Sequence, residues 1–263
     1  LHQQTGSEQA LRLARRCGER MLQTASDSEH GGRAWVVPAA GRALTGLAHG
    51  AAGFVWALLE LATLSGDERY REAARQGLAF ERALFVPERG NWKDVRTSKE
   101  GEPLVPGGFM TAWCNGAAGG VLARLLSLRH LDDARLRDEL RAGLATVQRE
   151  GFGGSHCLCH GDVGNLEVLH LAGEVLGDAA WKEAAYSRAA RVLAQGQDGA
   201  WRCGLPRFTE APGLMLGLAG IGMGLLRLAA PAFVPSVLAL QPVRPLGVEY
   251  LRGYRVLNRS VTR

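Results

Sequence analysis

Four stretches decide the fold: Gly46-Leu47-Ala48-His49-Gly50-Ala51-Ala52-Gly53, Ala112-Trp113-Cys114-Asn115-Gly116-Ala117-Ala118-Gly119, Cys157-Leu158-Cys159-His160-Gly161-Asp162-Val163-Gly164 and Gly213-Leu214-Met215-Leu216-Gly217-Leu218-Ala219-Gly220. Each holds two glycines three apart and opens an apolar segment, at 54–65, 120–131, 165–176 and 221–230. The first three segments run through a short Gly/Asp break into charged amphipathic stretches at 67–85, 132–150 and 178–195. Asp67, Asp132 and Asp178 stand where a helix N-cap or first-turn acid belongs. The repeating unit is a glycine turn, an apolar helix, a short break and an amphipathic helix. An all-apolar helix must be covered on every side, and an amphipathic one can cover it while facing water. Units of this kind bury a continuous core only by stacking. The expected fold is all-α, an α/α toroid of stacked helical hairpins with an inner and an outer ring.

Working outward, the Gly/Pro-rich connections at 30–45, 86–111 and 199–212 are long enough to carry short β-hairpins, as at Trp35-Val36-Val37. Residues 1–8 align with residues 61–68, so the chain is expected to open near the end of an inner helix, with 9–24 as the outer helix that follows. The segment at 221–230 has no amphipathic partner. Four inner helices make an arc, so the ring is expected to be incomplete, with N-terminal repeats missing. Glycine is abundant, 35 of 263 residues, and its placement in the repeats argues for close backbone approaches rather than linkers. The apolar run at 211–226 is broken by glycines and falls short of the ~20 residues of a membrane span. No integral membrane segment and no signal peptide is expected. Five cysteines do not suggest a disulfide framework, and a cytoplasmic location follows. The net charge of +5 comes from bases interleaved with acids on helical faces, a solvated surface rather than a nucleic-acid groove.

In register, the two residues before the first motif glycine are Ala48-His49, Cys114-Asn115, Cys159-His160 and Met215-Leu216. Cysteine recurs at one position and histidine at the next. Both sit at N-termini of inner helices, where the helix dipole favours a thiolate. In a toroid these ends face one mouth of the central cavity. Two sulfurs and an imidazole converging there suit Zn²⁺, and three protein ligands leave a fourth position open. Against this stands simple packing, since cysteine is among the most buried residue types. Cys17, Cys157 and Cys203 read that way. His2, His30, His130 and His170 lie off the motif, and His156 is near it but out of register. Trp113 and Trp201 read as loop anchors.

These motifs resemble the lanthionine synthetase C-like cyclases. The resemblance rests on Gly-Leu-Ala-His49-Gly, Trp113-Cys114-Asn-Gly, Cys159-His160-Gly and Gly213-Leu-Met-Leu-Gly. Asn91-Trp92-Lys-Asp94-Val-Arg96 and Pro235-Ser236-Val237-Leu238 are similar to segments of the C-terminal cyclase domain in class II lanthipeptide synthetases. The similarity runs over residues 1–240, read as the C-terminal part of a cyclase domain, with 241–263 as an extended or disordered tail. It implies the α/α toroid already inferred. It implies zinc held by Cys114, Cys159 and His160, and His49 as catalytic acid/base. The implied reaction is lanthionine or methyllanthionine ring formation, in which a peptide cysteine adds to dehydroalanine or dehydrobutyrine. The implied partner is a dehydrated precursor peptide with its leader. The family's proposed catalytic aspartate belongs to a repeat upstream of Leu1, and a dehydratase domain has no counterpart here. The chain alone is therefore expected to be poorly active. Other readings are a non-cyclising zinc protein that binds thiols such as glutathione, or a structural zinc site closed by Cys157 or His156. A glycosidase toroid would need paired carboxylates, and only Asp162 is acidic at the inner turns.

Overall fold

A computed structural model describes residues 1–242 apart from 99 and 132; the tail expected from 241 onward lies, from residue 243, outside the described residues. After a single helical turn, α1 (His2–Thr5), and α2 (Glu8–Thr24), three helical hairpins follow in order. They are α3 (Ala51–Ser65) with α4 (Glu68–Ala83), α5 (Ala117–Ser127) with α6 (Ala134–Glu150), and α7 (Asp162–Leu176) with α8 (Ala179–Gly196). The last inner helix is α9 (Leu218–Ala229). The inner helices pack in sequence, α3 on α5, α5 on α7 and α7 on α9, and each outer helix packs on its own inner one. This is the α/α arrangement expected of the repeat. In α5 every residue from Ala117 to Leu125 is buried, and in α7 every residue from Asp162 to Gly173. At the two ends of the row, α3 and α9 each keep an open face, with Leu226 59% exposed.

The inner helices start about three residues earlier than their apolar segments suggest. The first motif glycine is the N-cap in all four cases: Gly50, Gly116, Gly161 and Gly217. The second lies in the first turn of the helix. A Cβ on Gly53, Gly119, Gly164 or Gly220 would stand 2.2, 2.3, 2.0 or 1.7 Å from the carbonyl oxygen six residues upstream. The amide one residue after the N-cap donates to the carbonyl seven residues before it. These bonds are Ala51 to Leu44 and Asp162 to Ser155 at 2.8 Å, Ala117 to Met110 at 3.1 Å and Leu218 to Ala211 at 2.8 Å. The G-x-x-G signature thus marks a chain that doubles back against its own helix start.

Outer helices are capped by side chains, as their acids suggest: Asp67 accepts from Arg69 N and Asp178 from Ala180 N. In the middle hairpin the cap is Asp133, accepting from Leu136 N, one residue later than expected; Asp132 is not among the described residues. The alignment of residues 1–8 with 61–68 holds in three dimensions. Gly6 and Gly66 end α1 and α3 at φ 67° and 71°, and Ser7 caps α2 where Asp67 caps α4. The long connections carry two-residue antiparallel hairpins: β1 (Ser26–Asp27) with β2 (Arg33–Ala34), β3 (Val36–Val37) with β4 (Arg42–Ala43), and β5 (Phe85–Val86) with β6 (Asn91–Trp92).

A buried ionic network ties the first two hairpins together. Arg124 on α5 reaches Glu81 of α4 at 3.3 Å and Glu139 of α6 at 3.1 Å, with its guanidinium 4.3 Å from the centre of the Trp92 ring. Arg82 then joins Glu139 at 3.1 Å to Asp133 at 2.7 Å. Burial lifts the Glu81 carboxyl above its ordinary value, and Arg124 and the amides of Gly46 and Ala52 pull the other way. Deleting one partner of such a pair strands a buried charge, typically at about 3–5 kcal/mol.

The glycine series makes a direct test. Gly119→Ala should destabilise the fold by about 1–3 kcal/mol through forced displacement of backbone. Gly222→Ala, in α9 with nothing within 4 Å of the added atom, should stabilise it by about 0.5–1 kcal/mol by removing backbone freedom from the unfolded chain. Denaturant midpoints measure both, and equal effects at the two positions would refute the close-approach account.

Candidate functional site

The four turns are stitched edge to edge. Ala48 N–H donates to Cys114 O at 3.1 Å, Cys114 N–H to Cys159 O at 3.2 Å, and Cys159 N–H to Met215 O at 3.0 Å. The register position at which cysteine recurs is therefore the rung at which neighbouring repeats touch. This brings the Cys114 and Cys159 thiols into hydrogen-bonding contact. Cys114 is buried and Cys159 is half-buried.

Their ionisation is uneven. The hydrogen bond from the Cys159 thiol brings Cys114 down to about 7, against its burial and with help from the charges of His160 and Arg96. The same hydrogen bond, with burial and the charges of Cys114 and Cys157, pushes Cys159 far above the ordinary thiol range. The contact moves the two thiols in opposite directions, Cys114 down and Cys159 up.

His160, half-buried, turns its imidazole towards Cys157 and the backbone of Gly204. A Cβ at Gly204 would stand 2.6 Å from Cys157 Sγ and 3.0 Å from His160 Nε2, so that glycine makes room for both groups. The Cys157 contact raises the His160 imidazole above its usual value in spite of burial. Cys157 lies 3.3 Å from Ser155 Oγ, and hydrogen bonds from His160 and Ser155 outweigh its burial and lower its thiol. Among the described residues no three His, Cys, Asp or Glu side chains stand together at metal-holding separations. Cys114 and Cys159 meet, and the third expected donor is held by Cys157.

His49 sits on the adjoining turn, one residue from the rung at Ala48. Its side chain is exposed and makes no hydrogen bond among the described residues. Beside it opens an apolar cavity of about 510 Å³ whose walls include Leu47, Phe54, Trp56, Trp113 and Met215, with Leu238 from the C-terminal segment. Trp113 is thus both an anchor in the core and a wall of this cavity. His156 is buried and engaged elsewhere, with Nε2 3.1 Å from Gln195 Oε1 and Nδ1 accepting from Arg202 N at 3.2 Å.

Two features escape a reading by register alone. Cys157 packs as a buried cysteine should, yet it is also the group that holds His160; the Cys-x-Cys-His spacing is the signal. Arg96 acts on Cys114 from a loop. It is fixed by buried Asp94, with Nε 2.9 Å from Oδ1 and Nη2 2.6 Å from Oδ2. An Asp two residues before an Arg is too common to reveal this.

Comparison with known proteins bears on the fold and the family. A lacticin 481/lactococcin biosynthesis protein, LcnDR2, of Lactococcus lactis subsp. lactis is 28% identical over 192 residues, which is 68% of this chain and 20% of that protein. Nisin cyclase superposes with a TM-score of 0.53 at 23% identity, over 73% of this chain and 47% of its own. A polysaccharide lyase reaches 0.54 at 17% identity, over 88% and 68%. At these identities both structures speak for the fold alone, and the chain spans only part of each relative. Residues 1–239 match the family described as lanthionine synthetase C-like protein, and the chain belongs to that family.

Proposed function

We propose that this chain carries the thiol-activating site of a lanthipeptide cyclase, with Zn²⁺ held by Cys114, Cys159 and His160 and with His49 moving the proton. The observation that carries the reading is the contact between the Cys114 and Cys159 thiols, made by a backbone bond between two turns. Two adjoining sulfurs with an imidazole on the next residue form a donor set suited to zinc. The His160 ring is engaged by the Cys157 thiol of its own turn and by the backbone of Gly204.

A cation held by Cys114, Cys159 and His160 would supply one thing, a substrate thiolate at neutral pH, where a free thiol with a pKa near ~8.5 is mostly protonated. The rest falls to the protein. The apolar cavity beside His49 takes up side chains of the dehydrated peptide. The substrate sulfur adds to the β-carbon of dehydroalanine or dehydrobutyrine, and the electron pair of the carbon–carbon double bond passes to the enolate. His49 accepts the proton of the incoming thiol and returns one to the α-carbon. The thiol hydrogen is balanced by the new α-hydrogen, so no redox partner or organic cofactor is consumed. Arg96, held by Asp94 beside Cys114, adds positive charge where negative charge gathers.

The purified chain should bind about one zinc, and Cys159→Ala should abolish it. Elemental analysis decides this, and unchanged zinc content would sink the ligand assignment. Ring formation by the complete enzyme on a dehydrated peptide, read by loss of alkylatable thiol, separates a cyclase from a relative that only binds thiols such as glutathione.

His49 should behave differently from the ligands. In the complete enzyme, His49→Asn should keep zinc yet slow cyclisation by about 10²–10⁴-fold, the usual contribution of a general acid–base. Cys114→Ala should lose metal and rate together. Should His49→Asn strip zinc as fully as Cys114→Ala does, His49 is a ligand and the division of roles is wrong.

A further inference from the structure

The turn that presents His49 is braced in a way the other three are not. Its helix, α3, has Gly50 as N-cap, which offers no side chain to the free amides of the first turn. Glu81, fully buried on the neighbouring outer helix, supplies the missing acceptor. Its Oε1 lies 3.0 Å from the amide nitrogens of both Gly46 and Ala52, which bracket His49 on either side. The positive end of α3 favours an acidic group at this place. Its second oxygen, Oε2, is 3.3 Å from Arg124 Nη1. Arg124 belongs to α5, the helix whose glycine turn carries Cys114. Among the described residues, no carboxylate reaches the amides of the turns ending at Gly119, Gly164 or Gly220. Among the described residues, the turn with an exposed, unbonded histidine is the one clamped by an acid from another helix, and that acid is tied to the neighbouring repeat; Asp162 of the third turn holds instead the amide of Gly153 in the loop before its own turn.

We propose that Glu81 is a positioning residue for His49, holding its turn in fixed relation to the Cys114 turn. The proposal rests on the reading of His49 as the proton-moving group. Glu81 touches no substrate and acts through two backbone amides.

Glu81→Ala removes the acceptor, and Glu81→Gln keeps an oxygen in its place while leaving the charge out. With Glu81→Ala, amide exchange at Gly46 and Ala52 should rise about tenfold or more, and the His49 ring resonances should move. Bound zinc and the protection of Ala117 and Asp162 should stay as they are. Glu81→Gln should restore much of the protection, and it carries the same readouts if Glu81→Ala does not fold. In cyclisation assays of the complete enzyme Glu81→Ala should lower kcat with KM little changed, and it should cause no further loss in a His49→Asn background. An equal loss of kcat in that background, or unchanged Gly46 and Ala52 exchange, would overturn the proposal. If the turn loosens but His49→Asn leaves the rate intact, the clamp stands and the acid–base reading of His49 fails.

Discussion

Everything at the site hangs on a row of backbone hydrogen bonds between glycine turns. Ala48, Cys114, Cys159 and Met215 occupy one register position in four repeats, and each of the first three donates its amide to the carbonyl of the next. The row exists because each turn folds back onto the start of its own helix. The close approach there leaves no room for a side chain at the second motif glycine. A repeat that keeps those glycines delivers its rung residue to the same edge, whatever that residue is. Two cysteines at adjacent rungs must therefore meet. The fold makes the thiol pair, and substitution at the rungs decides how many sulfurs gather.

The pair is also electrically prepared. Burial by itself would keep both thiols protonated. Contact between them, with His160 and Arg96 nearby, lowers the Cys114 thiol and raises that of Cys159. The acids and bases that surround this arrangement are mostly structural. Glu81, Arg124 and Glu139 are buried and paired with one another across hairpins. Asp94 spends its carboxylate on Arg96. No pair of free carboxylates faces the cavity beside His49 among the described residues that line it. The polysaccharide lyase that shares this fold shows that the scaffold alone does not choose the chemistry.

Most of the scaffold was legible because it repeats. Helical period, glycine spacing and Asp caps all point to inner and outer helices, and errors are confined to ends. The inner helices begin earlier because the first glycine is itself the cap, and the α6 cap falls on Asp133 rather than Asp132. The meeting of Cys114 with Cys159 was legible for the same reason, as a coincidence of register. What register cannot carry is side-chain direction. His160 occupies its expected turn position, yet its ring turns to Cys157, whose role looked like packing. Glu81 and Arg96 were hidden for a related reason: each reaches the site from another element, and no local spacing encodes that contact.

The central claim is that adjacent rungs and the residue beside them form one metal centre with two sulfurs and one imidazole. X-ray absorption at the zinc edge of the metal-loaded chain measures it most directly. The account predicts two sulfur neighbours at about 2.3 Å and imidazole nitrogen at about 2.0–2.1 Å, with a light atom completing four. Three sulfur neighbours would place Cys157 on the metal and free His160 from it. A shell of nitrogen and oxygen alone, or no bound zinc, would contradict the account outright.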